Sequence, residues 1–207
     1  MMYSIRSLRV LAQFGLTVDD VGLGHDLEHR AHLVATMIAE RLLPGQVALV
    51  TGASGAGKST VLRALSRTFV RVETPEHVRQ LRGRAIDAIH AANAVHLLIA
   101  AGLADARLMV TPIAHLSDGE RARLAIARAM TRALRSRTNT TLVIDEFASS
   151  LDLLTAHALA ATLARWVRRS HTVRMVIATN RHELRATLNA ELTVDLPPAW
   201  AWRPVAA

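Results

Sequence analysis

Cysteine is absent from the chain, lysine occurs once, and aromatic residues make up only 3%. The missing thiols exclude a disulfide framework, thiol chemistry and cysteine-ligated zinc. The ten histidines form no H-E-x-x-H pattern, so a histidine-held zinc is not expected either. So few rings argue against a stacking platform for single-stranded nucleic acid; Trp166 falls on the apolar side of a helical pattern, and Trp200 and Trp202 flank a proline-rich end. No apolar run reaches the roughly eighteen residues a membrane helix needs. The most apolar stretch, 94–104, is too short and contains His96. Near the N-terminus, the run Val10 to Leu16 is broken by Gln13 and followed by Asp19 and Asp20 without a small-residue cleavage site, so no secretory signal is read. A cytoplasmic protein with no membrane span of its own is expected. Internal repeats, low-complexity tracts and heptads long enough for a coiled coil are missing as well.

What is present suits a folded chain. It has 207 residues, 51% of them apolar and 20% charged, enough for one domain over 1–207 with a self-standing core. The formal charge is +8, and of the 25 basic residues 24 are arginine. Arginine clusters at 132, 135 and 137 and at 165, 168 and 169 read first as solvated surface; they leave open a partner with a phosphate backbone or an acidic protein. Because arginine stands at every other basic position, the lone Lys58 marks a place where a planar guanidinium cannot replace a compact ammonium.

Lys58 lies in Gly52-Ala53-Ser54-Gly55-Ala56-Gly57-Lys58-Ser59-Thr60, which satisfies G-x-x-x-x-G-K-[ST]. The apolar run Val47 to Val50 precedes it, launched by Pro44-Gly45; Val61, Leu62 and Leu65 follow at helical spacing. Strand, glycine loop and helix thus stand in the order a phosphate cradle needs. Glycines let backbone N–H groups converge on phosphate oxygens, and the helix dipole favours the anion. Lys58 is expected to reach the β- and γ-phosphates and Ser59 to hold Mg²⁺. A second apolar run, Thr141 to Ile144, ends in Asp145-Glu146. At the C-terminal edge of a parallel sheet Asp145 would hold Mg²⁺ and Glu146 would polarise the attacking water. Ser117 and Glu120 form an S-x-x-E capping box ahead of a periodic helix. Gly119, unfavourable in a first turn, suggests that something approaches the backbone there.

GASGAGKST, LSDGERARLAIARAM and TLVIDEFASSLD together resemble the phosphate loop, signature motif, Walker B strand and D-loop of the ABC-type ATPases, in that family's order, over residues of about 43 to 184. The resemblance implies a P-loop NTPase fold, a mainly parallel α/β sheet flanked by helices, with a short helical subdomain at about 75–115. It implies binding and hydrolysis of ATP with Mg²⁺, the loop residues Gly52, Ser54, Gly55, Gly57, Lys58, Ser59 and Thr60 holding the nucleotide. It further implies a head-to-tail homodimer in which Ser117 and Gly119 of one copy close on the γ-phosphate held by the other, with Asp152 communicating across the interface. Asp152 equally suits the N-cap of a helix from Leu153 to Arg168.

Several positions depart from the family's pattern. The switch histidine should follow the strand Val173 to Thr179, yet Asn180 comes next and His182 two places later. His182 is preferred, with Asn180 as the alternative. Gln80 is the one glutamine between loop and signature, in a helical-looking stretch from Pro75 to Arg84, and Phe14 and Tyr3 are the only aromatics before the loop. Phe147 replaces the family's usual proline. These features favour a compact stand-alone ATPase driving a conformational change in a partner; a transporter subunit, a nucleic-acid-directed ATPase and a poorly hydrolysing dimerisation switch are the alternatives. Elsewhere the pattern predicts one or two strands and a helix Leu27 to Leu42 within the first 45 residues, a strand Thr68 to Val72, a short helix from His182 and a last strand Leu192 to Leu196.

Overall fold

The computed structural model describes residues 24–136 and 138–198, with Arg6, Arg9, Ala12 and Gln13 before them. Helix α1 (Gly24–Arg41) leads into strand β1 (Val47–Thr51), the glycine loop and helix α2 (Lys58–Thr68). Strand β2 (Val72–Glu73) follows, then short helices α3 (Ala94–Ala100) and α4 (Ala106–Met109) and the long α5 (Asp118–Arg135). The chain continues through β3 (Thr140–Ile144), α6 (Leu153–Arg168), β4 (Val173–Thr179), α7 (Leu184–Leu188) and β5 (Leu192–Asp195). All five described strands are parallel, in the order β2-β3-β4-β1-β5.

β1 and β3 are buried at every residue. A strand covered on both faces reads as a continuous apolar run, because its successive side chains enter different cores. Val47, Leu49, Leu142, Ile144, Met175 and Ile177 pack against α5 and α6. Ala48, Val50, Val143, Val176 and Ala178 face α1 and α2. Burying each large aliphatic side chain is worth about 1.5–3 kcal/mol, so the two cores fix the register and with it the ends of β1, β3 and β4. At the opposite edge Arg174 closes the sheet, its guanidinium 4.2 Å from the Phe69 ring centre and donating to the Leu42 carbonyl at 2.8 Å.

The expected strand at 68–72 begins later, because α2 runs through Thr68, whose hydroxyl donates to Ala64 O at 3.0 Å. The stretch from Pro75 to Arg84 is not helical. Gly83 turns the chain at φ +92°, and Arg84 forms an isolated antiparallel bridge with Pro112 in place of helical pairing. The last short helix starts at Leu184, two residues after His182. The helix expected from Leu27 to Leu42 runs from Gly24 to Arg41. Ahead of it, where one or two strands are expected, the four described residues Arg6, Arg9, Ala12 and Gln13 are helical; Phe14, Tyr3, Trp200 and Trp202 lie outside the described residues. No helix among the described residues is long and apolar enough to cross a membrane.

Candidate phosphate-binding site

The turn between β1 and α2 is built by its glycines. A Cβ on Gly52 would lie 2.8 Å from the Leu196 carbonyl oxygen, a distance no side chain tolerates. Gly57 caps α2 at φ +93°, where any other residue is strained, and a Cβ there would press on Leu27 at 3.3 Å. Lys58 Nζ donates to Gly52 O and Ala53 O, both at 2.8 Å, so the ammonium is drawn back across the loop. An ammonium has three donors, which leaves one for a ligand.

The loop offers more. Among the described residues no acceptor takes a hydrogen bond from the N–H groups of Gly55, Gly57, Lys58 or Ser59. The first turn of α2 carries no acid and no capping side chain. Its dipole and its orphan donors therefore face the cleft uncompensated, which suits an anion.

That cleft has a volume of about 380 Å³. Its floor is the loop with Ser54, Gly55, Gly57, Lys58, Ser59 and Thr60; the ends of β3 and β4 wall one side with Asp145, Glu146, Ser149, Thr179 and Asn180, and α1 contributes Leu27. The Glu146 N–H donates to Asp145 Oδ1 at 2.8 Å, leaving the second carboxylate oxygen for a cation, and Ser59 stands in the same cleft. These hard oxygen donors fit Mg²⁺, which keeps most of its waters and takes only one or two protein ligands. Glu146 is held at φ +46°, an unusual conformation for a residue with a side chain. The next residue shows what maintains it: the Phe147 N–H donates to Ala178 O at 2.9 Å, a bond that proline could not make. Thr179 completes the tie, its hydroxyl donating to Phe147 O at 3.0 Å and accepting from the Arg181 N–H at 3.2 Å.

His182 is not in this group. It is exposed, with Nδ1 3.7 Å from Asp195 Oδ1, beside the Thr51 hydroxyl that donates to the same carboxylate. Asn180 stands in the cleft instead, because β4 ends at Thr179 and the next residue takes the sheet edge. Gln80 is exposed in a turn between Val78 and Leu81 and does not reach the cleft.

Ser117, Gly119 and Asp152 are also outside the cleft of their own chain. Ser117 caps α5, its Oγ accepting from the Glu120 N–H at 3.3 Å while Glu120 Oε2 accepts from the Ser117 N–H at 2.7 Å. Asp152 caps α6, accepting from the Thr155 N–H at 2.9 Å, and the Thr155 side chain together with this N–H holds its carboxyl below the usual range. Gly119 lines a neighbouring cavity of about 410 Å³ with Asp118, Arg121 and Leu151. Sequence reasoning missed Leu27, Ser149 and Thr179; only Thr179 left a signal, as the polar end of an apolar strand.

The capping box gives a pH-dependent prediction. Its hydrogen bond from the Ser117 backbone holds the Glu120 carboxyl below the usual carboxylate range. A group whose folded pKa is lowered stabilises the fold above its unfolded value and loses that contribution as pH falls through the folded one. Glu120→Ala should therefore lower the melting temperature at neutral pH, and the gap from the parent chain should close in acid below the carboxylate range. Melting curves from neutral pH into acid check this; a gap that stays constant contradicts it.

Residues 43–188 match the family model described as "AAA domain". None of the curated proteins compared matches the chain. Solved structures do. A bacterial Atm1-family ABC exporter with ATP bound shares 19% identity at a TM-score of 0.55, over 75% of this chain and 33% of that one, so the chain spans about a third of the exporter's length. A dimeric post-hydrolysis state of the ATP-binding cassette MJ0796, bound to ADP and Pi, shares 17% at 0.58 over 77% of this chain and 84% of the cassette. The structure of cbiO1 from Clostridium perfringens, part of the ABC transporter complex cbiONQ, shares 16% at 0.54 over 75% of each chain. At these identities the likeness is one of fold: a five-stranded parallel sheet flanked by helices, as in the ATP-binding cassettes and the P-loop NTPases.

Proposed function

The chain belongs to the AAA domain family, and from that premise we propose that it is an ABC-type ATPase: it binds Mg·ATP in the loop cleft, pairs with a second copy around the nucleotide, and hydrolyses it. The observation that carries this reading is the meeting of unpaired loop N–H groups and Lys58 with Asp145 and Glu146 in one cleft. In this reading 1–207 is one ATPase domain with about 75–115 as its reduced helical subdomain, and the cycle drives a conformational change in a partner protein.

The unpaired N–H groups of Gly55, Gly57, Lys58 and Ser59 and the Lys58 ammonium hold the triphosphate oxygens. Ser59 and Asp145 would hold Mg²⁺, which supplies positive charge to the β- and γ-oxygens. Glu146 accepts the proton of the attacking water, and Asn180, not His182, orients that water or the γ-phosphate through an amide that never titrates. Ser117 Oγ keeps its own proton free for a phosphate on a second copy. A Cβ on Gly119 would meet nothing closer than Leu151 at 3.7 Å, so packing within the chain does not require glycine there; close approach by a partner's nucleotide accounts for it, and Asp152 caps a helix at the same face.

Mass photometry of the full chain with Mg²⁺ and a non-hydrolysable ATP analogue is expected to convert monomers to dimers, and phosphate release to appear with ATP. Monomers under both conditions would overturn the paired arrangement. Asn180 favours a second reading, a dimerisation switch with turnover far below the usual enzyme range of about 1–10³ s⁻¹. Analogue-driven dimers with negligible phosphate release would select it.

A further inference from the structure

The cleft described above accounts for a triphosphate but not for a base, and no aromatic side chain among the described residues lines it. Its geometry nevertheless has a direction. Asp145, Glu146 and Asn180 wall the side where a γ-phosphate is attacked, so the nucleoside must leave on another side. Thr60 and Leu27 stand where the cleft meets α1. There a second cavity of about 300 Å³ opens between α1 and α2, and Thr60 lines both. The turn of α1 that follows Leu27 supplies Glu28, His29 and His32 to its wall; α2 supplies Arg63 and Arg67.

From this we infer that the nucleoside half of ATP lies in the groove between α1 and α2, its base stacked on the Arg63 guanidinium and the imidazoles of His29 and His32. The inference rests on the function proposed above and names the base-holding residues of the same site. Arg63 is already turned toward the phosphate end: its Nε donates to Ser59 O at 3.3 Å and a terminal nitrogen to Thr60 Oγ1 at 3.3 Å. Its planar group therefore stands at the junction of the two cavities. Guanidinium and imidazole planes stack on a base face as an aromatic ring does, so a chain poor in aromatics still owns a platform. Glu28 adds an acceptor for a ribose hydroxyl or an exocyclic amine. His29, His32 and Arg63 are all exposed, so replacing them leaves the cores intact.

The test compares ATP with inorganic tripolyphosphate, each titrated calorimetrically into the full chain with Mg²⁺. Arg63→Ala and the double variant His29→Ala/His32→Ala are each expected to weaken ATP about tenfold, the loss of roughly one stacked base, and to leave tripolyphosphate affinity unchanged. Unchanged ATP affinity in both variants overturns the groove as the nucleoside site. Equal weakening of both ligands also overturns it, since the residues would then act on the phosphate loop alone. A parent chain that binds neither ligand removes the proposed function itself, whereas one that binds tripolyphosphate as tightly as ATP removes only the nucleoside site.

Discussion

Lys58→Ala is expected to raise the dissociation constant for Mg·ATP about a hundredfold or more while leaving the melting temperature within a few degrees of the parent. The side chain is partly exposed and fills no core, so folding has little to lose. Binding has much to lose. Charge-assisted hydrogen bonds are worth about 1.5–3 kcal/mol each, and the one donor that the loop carbonyls leave free makes such a bond to the phosphates; about 3 kcal/mol corresponds to roughly two decades of affinity. Lys58 also joins Gly52 O to Ala53 O, so its removal frees the two carbonyls to turn into the cleft, where they would repel phosphate. Lys58→Arg sharpens the test. Charge survives, but a rigid planar fork cannot meet both loop carbonyls and still present a donor to the ligand, so ATP should be lost there too. Calorimetric titration that finds either variant within threefold of the parent would remove Lys58 from the binding machinery.

The sequence made some of this legible and not the rest, for physical reasons. The loop, the two strands and the long α5 could be read because each is dictated locally: glycines at forced backbone angles, apolar runs for doubly covered strands, a serine and a glutamate three apart for a capped helix. The Asp145 and Glu146 pair could be placed for the same reason, since a strand's end in a parallel sheet is a fixed location. The sequence preferred His182 to Asn180, a choice that depends on where β4 stops relative to the loop across the sheet and on Asp195 standing 3.7 Å from the imidazole. The stretch from Pro75 to Arg84 misled through its apolar spacing: Val78 and Leu81 are one turn apart in a helix, yet the same spacing serves a single turn that tucks Val78 into the core. The contact of Leu27 with Gly57 is tertiary and left no trace in the pattern. Phe147 was visible as a departure from the family, and only the bond to Ala178 O explains it.

Glu146→Gln should slow phosphate release about 10²–10⁴-fold, the usual contribution of a positioned base, while ATP still binds and loaded dimers accumulate. The substitution is nearly isosteric, so the backbone at φ +46° and the Phe147 to Ala178 bond that maintains it are left as they are. What changes is one capability. A carboxylate can take the proton that water sheds as it attacks; an amide cannot. Asp145 does not step in, because one of its oxygens accepts from the Glu146 N–H and the other faces the proposed cation position. Binding, in contrast, should hold or improve: removing a negative charge from the wall beside the γ-phosphate relieves repulsion in the ground state. The two variants therefore separate cleanly, Lys58→Ala failing at binding and Glu146→Gln failing only at turnover. Single-turnover phosphate release and mass photometry on the same samples measure both halves. Wild-type hydrolysis by Glu146→Gln would mean that another group takes the proton, and loss of ATP binding in that variant would mean that the carboxylate belongs to the ligand cradle rather than to the reaction.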